Sequence, residues 1–114
     1  MKENLELLGI ENFIGSEHYH TIMGKKVTDG VAYILENGYG WVVTDALVIL
    51  SMKAKVKRES FVTVKLKLEG KGAKIVYDDG NGNILFTQKY EITDAKRELT
   101  LFWVDGILML NSEY

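Results

Sequence analysis

The sequence predicts an α+β domain in which N-terminal helices pack on one face of a five-stranded antiparallel meander. In the C-terminal half, from about residue 60 to about residue 111, apolar and polar residues alternate and glycine-containing turns separate the runs. From residue 1 to about residue 55, apolar residues follow helical spacing instead. At 114 residues, the whole chain is expected to form one domain with a single core.

Three helical segments are predicted in the N-terminal half. Residues 3–14 have loosely helical apolar spacing that Gly9 interrupts, so we expect a short helix broken near that glycine. Thr28 is a good N-cap and Asn37-Gly38 a good stop, and these bracket a second helix. A third helix, apolar nearly all round and therefore buried, is predicted from about residue 41 to about residue 53. A strand at residues 41–43 is the alternative, because β-branched residues cluster there.

The turns of the C-terminal half fix the predicted register of its five strands. They lie at residues 70–71, 78–83 and 105–106, and the last two contain Asp-Gly or Asn-Gly, which favour two-residue hairpins. The pairs expected to face each other are Leu66 and Ile75, Trp103 and Leu108, and Leu101 and Leu110. A middle turn centred on Asn81-Gly82 would also pair Tyr77 with Phe86, whereas one centred on Asp79-Gly80 would change the partners but keep the same face. The predicted inner face consists of Val62, Val64, Leu66, Leu68, Ala73, Ile75, Tyr77, Ile84, Phe86, Tyr90, Ile92, Leu99, Leu101, Trp103, Leu108 and Leu110.

Composition excludes several classes of protein. The chain has no cysteine, so neither a disulfide framework nor a thiolate metal site can form. No N-terminal leader pattern is present, and no apolar run approaches the ~18 residues of a membrane span. We therefore expect a cytoplasmic, soluble protein without a cofactor and without a membrane partner.

The last two strands are apolar on both faces, which is unusual for a strand with one face in solvent. Their outer face is predicted to carry Phe102, Val104, Ile107 and Met109. Such a face needs a helix or a partner to cover it. The leading hypothesis is therefore a small non-enzymatic protein-interaction module that binds itself or another protein through these four side chains.

A lysine-rich stretch supports an alternative hypothesis, nucleic-acid binding. Eight of the 14 lysine and arginine residues lie between residues 53 and 74. The strand register places Lys65, Lys67, Lys71 and Lys74 on or beside one outer face, where they could track phosphates. No aromatic residue alternates with them as a stacking platform would require. A solvated strand face that prevents edge-to-edge aggregation is the structural alternative.

Metal or catalytic chemistry has the weakest sequence support. His18 and His20 are two residues apart on an extended segment, and Glu17 could supply a third metal ligand, which would suit a small metal-dependent hydrolase. Ser16, Glu17 and His18 are too close in sequence for a catalytic triad, and no nucleophile motif or phosphate loop is present. Residues 79–83 resemble the start of a calcium loop, but Ile84 occupies the position that needs glycine. We therefore predict a non-enzyme without catalytic residues.

Four segments together resemble an uncharacterised family of small bacterial and phage-associated proteins. They are Phe13–Tyr19, Thr28–Ile34, Asp78–Asn83 and Val104–Tyr114, and their order and spacing extend over most of the chain. The resemblance implies a phage or mobile-element context. It implies no activity, ligand or catalytic residue, but it makes inhibition of a host protein or defence complex a natural role for the interaction module.

Overall fold

A computed structural model describes residues 4–15 and 18–114 of the chain. Within these residues, seven strands form one sheet. The strands are β1 (Tyr19–Ile22), β2 (Lys25–Thr28), β3 (Phe61–Glu69), β4 (Gly72–Asp78), β5 (Ile84–Tyr90), β6 (Leu99–Val104) and β7 (Ile107–Leu110). The helices are α1 (Asp29–Ile34), α2 (Gly40–Met52) and α3 (Ala54–Lys57), with a π-helical turn at Leu35–Tyr39 and 3₁₀ turns at Ile10–Asn12 and Asn111–Glu113.

The sheet is not the predicted five-stranded meander. Its spatial order is β1-β2-β7-β6-β3-β4-β5, so β3 lies between β4 and β6, and β5 is an edge strand. Neighbours are antiparallel except β2 and β7, which are parallel. The connection from β5 to β6 therefore crosses back over two strands. The central place of β6 agrees with its apolar residues on both faces, which an edge position would leave more exposed.

The predicted register is confirmed at the first and last hairpins of the C-terminal half, and at the middle one the pairing expected for a turn centred on Asn81-Gly82 is found as far as Tyr77. The observed Cα partners include Leu66 and Ile75, Tyr77 and Phe86, Trp103 and Leu108, and Leu101 and Leu110. At the last turn, Asp105 and Gly106 have φ angles of 50° and 83°, which is the positive-φ pair of a type I′ turn. Local turn chemistry therefore determined which residues share the inner face.

The prediction that Ile84 and Ile92 lie on the inner face is wrong. Ile84 is 67% exposed and Ile92 is 81% exposed. The β4–β5 register shifts between Tyr77 and Asp78, so Ile84 pairs with Asp78, on the opposite face from Tyr77. Ile92 lies beyond Tyr90, the last residue of β5, where no alternation applies.

The N-terminal half is not purely helical. Residues 19–28 form the hairpin of β1 and β2, which joins the sheet beside β7. The helix expected within residues 3–14 is wrong: of its described residues, only the 3₁₀ turn Ile10–Asn12 is helical. Leu7 and Gly9 have φ angles of 56° and 97°, and such left-handed residues interrupt a helix.

The helices after residue 28 agree with the sequence expectation. The Thr28 hydroxyl accepts a hydrogen bond from the Val31 amide at 3.4 Å, as an N-cap does. Gly38 has a φ of 98° and separates the first helical segment from α2. Residues 41–43 lie in α2, so the alternative strand there is wrong.

One long helix, α2, lies over the inner face of the sheet. Trp41 of α2 packs edge-on against Tyr90 of β5, with ring centroids 5.0 Å apart. Six residues of α2 are buried and share one core with the inner-face residues of β3, β4, β6 and β7. Among the described residues, no helix has the length and apolar character needed to cross a bilayer.

Candidate interaction surface on the outer face of the sheet

An apolar patch lies on the sheet face opposite α2. Cross-strand pairing places Phe61 beside Val104 and Val104 beside Ile107 in one row, and Phe102 beside Met109 in the next. The outer apolar patch, as we use the term, consists of these five residues and Tyr114. It includes all four residues predicted from the sequence, Phe102, Val104, Ile107 and Met109.

Three aromatic rings form the centre of the outer apolar patch. The centroid of Phe102 is 5.3 Å from that of Phe61 and 5.3 Å from that of Tyr114, and Phe61 and Tyr114 are 5.8 Å apart. The Phe102 and Tyr114 rings are perpendicular, which is a favourable edge-to-face arrangement. The three rings therefore pack against one another.

The hairpin part of the patch is only half-buried. Phe102, Val104, Ile107 and Met109 are all of intermediate exposure, whereas their inner-face neighbours Trp103 and Leu108 are buried. The sequence predicted that either a helix or a partner covers this face, and no helix covers it among the described residues. Adjacent rings cover the patch in part and leave the rest of it exposed to solvent.

Two members of the patch were missed from the sequence. Phe61 precedes Val62, so strand alternation already placed it on the outer face, and extending that pattern by one residue would have identified it. Tyr114 follows the 3₁₀ turn Asn111–Glu113. No local periodicity indicates where a residue after such a turn will pack.

The lysine-rich face lies on the same outer surface, toward β5. Lys67 is paired directly with Lys74, and Lys74 with Lys89, so three lysines form a row across three strands. Lys89 was not among the predicted residues. Directly opposed like charges are unfavourable unless other charges screen them.

Carboxylates do screen part of this lysine-rich face. Lys65 Nζ is 3.6 Å from Asp78 Oδ2, and Lys74 Nζ is 3.4 Å from Glu69 Oε2. Lys71, the fourth predicted residue, is exposed in the turn between β3 and β4. The face therefore carries both lysines and carboxylates, and only part of its positive charge is unpaired.

The histidine pair does not belong to a group of side chains that could hold a metal ion in the part of the chain that is described. His20 Nε2 lies 2.8 Å from Asp29 Oδ1, and His18 is exposed just before β1. Glu17, the proposed third ligand, lies outside the described residues, as does Ser16. Within residues 4–15 and 18–114, no three His, Cys, Asp or Glu side chains form a group that could hold a metal ion.

The acidic loop between β4 and β5 is organised by its own hydrogen bonds. Asp79 Oδ1 accepts from the backbone amides of Asn81 and Asn83 at 2.8 and 3.2 Å, and Asp79 Oδ2 accepts from Asn83 Nδ2 at 2.8 Å. These bonds, first that from the Asn83 side chain, lower the pKa of the Asp79 carboxyl below its usual value. The carboxylate oxygens thus stabilise the turn, as the hairpin interpretation requires.

Comparison with known proteins finds a family for the sequence but indicates no activity. The sequence model of a family of unknown function (DUF6876) matches residues 6–114. No curated protein and no solved structure matches the chain.

Proposed function

We propose that the chain, which belongs to this family of unknown function over residues 6–114, is a small non-enzymatic protein-interaction module. Its binding surface would be the outer apolar patch. The observation that carries the proposal is the partial exposure of six adjacent large apolar side chains on a sheet face without a helical layer among the described residues.

The chemistry of the patch suits a protein partner. Aromatic residues and methionine are enriched in the buried centres of protein interfaces, and charged residues are depleted there. Phe61, Phe102 and Tyr114 form such a centre, and Met109 can adapt its shape to a partner because its side chain is unbranched. Rings that already pack against one another lose less conformational entropy on binding than isolated side chains do, which favours affinity.

The proposal is tested by changing the charge of the patch. Met109→Asp places a carboxylate in the apolar surface, where a partner would have to bury it. Thr87→Asp is the matched control, because Thr87 is also half-buried on the outer face, on β5, outside the patch. Light scattering over a range of concentrations measures self-association, and circular dichroism confirms that both variants are folded.

Two results support the proposal and one refutes it. A mass that rises with concentration for the wild type and Thr87→Asp, but not for Met109→Asp, identifies a second copy of the chain as the partner. If the wild type is monomeric, affinity capture with the three proteins as bait should recover a partner that only Met109→Asp loses. Equal association and equal capture by all three proteins would refute the role of the patch.

The biological role that we propose is inhibition of a host protein or defence complex. It rests on the resemblance of the sequence to small phage-associated proteins and on the proposed binding surface. Identification of a captured host enzyme whose activity falls on addition of the wild type, but not of Met109→Asp, would support this role.

Nucleic-acid binding is the second candidate, favoured by the row of Lys67, Lys74 and Lys89 across three strands. Binding through these lysines would weaken steeply as salt rises, because each phosphate contact releases counterions. A gel-shift titration at two salt concentrations, with the wild type and Lys74→Glu, distinguishes this candidate. Binding that depends on salt and is lost in Lys74→Glu supports it, and the absence of a shift at low salt refutes it.

A further inference from the structure

A cleft separate from the outer apolar patch lies at the edge of the sheet between α2 and the segment that follows β5. It has a volume of about 530 Å³. Its lining is Trp41, Asp45, Tyr90, Ile92, Thr93 and Asp94. Of these described residues, two are aromatic, two are carboxylates and none is basic.

The aromatic walls of the cleft meet at a steep angle. The rings of Trp41 and Tyr90 have centroids 5.0 Å apart and planes inclined at 70°. Such a corner presents a ring face next to a ring edge, not a parallel slot. The electron-rich face of an indole attracts a cation. The ammonium of a lysine is compact and has three rotatable donors, so it can lie on that face and turn a donor toward a carboxylate beside it.

Asp45 supplies negative charge inside this corner. The Tyr90 hydroxyl donates a hydrogen bond to Asp45 Oδ2 at 2.5 Å, which fixes the carboxylate and leaves Oδ1 for a ligand. Burial first, and then the hydrogen bond and the negative charge of Asp45, raise the pKa of the Tyr90 phenol above its usual range. The Tyr90 phenol therefore stays a neutral hydrogen-bond donor to Asp45, and Asp94 adds a second carboxylate to the lining.

We propose that the cleft binds the side-chain ammonium of a lysine presented by a partner protein. The ammonium would lie against Trp41 and Asp45, and the aliphatic part of the lysine would contact Tyr90. Ile92, which is 81% exposed at the cleft, offers an apolar contact to the residues beside that lysine. This contact favours a lysine within a polypeptide over a free amine. The inference does not depend on the outer apolar patch.

The test is a titration followed by the indole N–H signal of Trp41 in proton–nitrogen correlation spectra of the intact protein. Three probes are used: the acetylated and amidated tripeptide Gly-Lys-Gly, the same tripeptide with norleucine in place of lysine, and n-butylammonium. The lysine tripeptide should shift the Trp41 signal with a Kd on the order of millimolar, as expected for a single ion pair supported by one aromatic contact. The norleucine tripeptide should bind about tenfold more weakly or worse, since it lacks the charge.

Two variants separate recognition of charge from a general apolar cleft. Asp45→Asn should weaken binding of the lysine tripeptide about tenfold while keeping an oxygen that accepts the Tyr90 hydrogen bond. Glu36→Gln, at an exposed carboxylate outside the cleft, is the matched control and should bind as the wild type does.

Several outcomes would overturn the proposal. They are an unmoved Trp41 signal, equal binding of the norleucine and lysine tripeptides, and unchanged binding in Asp45→Asn. Tighter binding of n-butylammonium than of the lysine tripeptide would also overturn it, because the ligand would then be a free amine and not a lysine of a protein.

Discussion

Removal of the Glu113 carboxylate should destabilise the protein well beyond the loss of an ordinary surface charge. Glu113 Oε1 accepts hydrogen bonds from Thr28 Oγ1 at 2.6 Å and from the Leu110 amide at 3.0 Å, and Oε2 accepts from the Gly30 amide at 3.1 Å. This one side chain therefore joins the final 3₁₀ turn to the start of α1. All three bonds are part-buried, so water replaces them only incompletely when the carboxylate is removed.

The magnitude follows from the number and type of these bonds. A hydrogen bond to a charged group contributes about 1.5–3 kcal/mol, and partial exposure places these three bonds well below the sum of such values. We expect Glu113→Ala to lower the free energy of unfolding by about 2–4 kcal/mol, and Glu113→Gln by about half as much. Glutamine keeps one acceptor oxygen but turns an amide N–H₂ toward the Gly30 amide.

Urea denaturation followed by circular dichroism measures these differences. The midpoint of thermal unfolding should fall by roughly 4 °C for each kcal/mol in a domain of this size. Glu36→Ala removes an exposed carboxylate and should stay within about 0.5 kcal/mol of the wild type. If Glu113→Ala is as stable as Glu36→Ala, the three bonds do not hold the end of the chain and the reasoning is wrong.

Two further predictions concern the β4–β5 pair. A Cβ at Gly72 would lie 2.2 Å from the Tyr90 carbonyl oxygen, so Gly72→Ala should cost about 3 kcal/mol in urea denaturation; Gly15→Ala, which adds a Cβ in open space, is the control and should be nearly neutral. Burial raises the pKa of the Tyr77 and Tyr90 phenols, so both stay neutral in the folded protein. Stability should fall as the pH rises above about 10, where the same phenols ionise in the unfolded chain. In an absorbance titration, Tyr77 and Tyr90 should ionise only as the circular dichroism signal is lost, and complete ionisation of the six tyrosines before unfolding would contradict the prediction.

The sequence was sufficient where one short segment determines the structure. The turns at residues 70–71, 78–83 and 105–106 fixed the pairing of adjacent strands, because only certain residues adopt their φ angles at low cost. Ile84 shows the limit of that approach. A bulge shifts the register by one residue, and no local pattern distinguishes a bulged strand from a regular one.

The strand order required contacts that the sequence does not display. β6 pairs with β3 and not with β5, its predecessor in the chain, and the pattern of residues 91–98 indicates no direction for that connection. The β1–β2 hairpin was missed because only Val27 and Thr28 among its residues are buried, so its alternation is weak. Its turn gave only a weak signal: Met23 and Gly24 have φ angles of 53° and 77°, and of this pair only the glycine is typical of such a turn.

The candidate sites also divide into a part that one segment of the sequence predicts and a part that depends on distant contacts. Alternation along β6 and β7 predicted the four hairpin residues of the outer apolar patch, since both faces of those strands were readable from the sequence. The cleft at Trp41 and Tyr90 was not predicted, because it joins a helix to a strand far away in the chain. Sites assembled from distant segments become visible only when the topology is known.

The parallel pairing of β2 with β7 has a consequence for the order of folding. It joins the β1–β2 hairpin to the last strand through only two Cα partner pairs, Lys26 with Ile107 and Val27 with Leu108. Closing so long a loop for so few contacts is entropically unfavourable, so this hairpin should dock late and detach first. Amide hydrogen exchange should then be faster in β1 and β2 than in β3 and β4, and each detachment would leave the backbone of β7 briefly unpaired along one side.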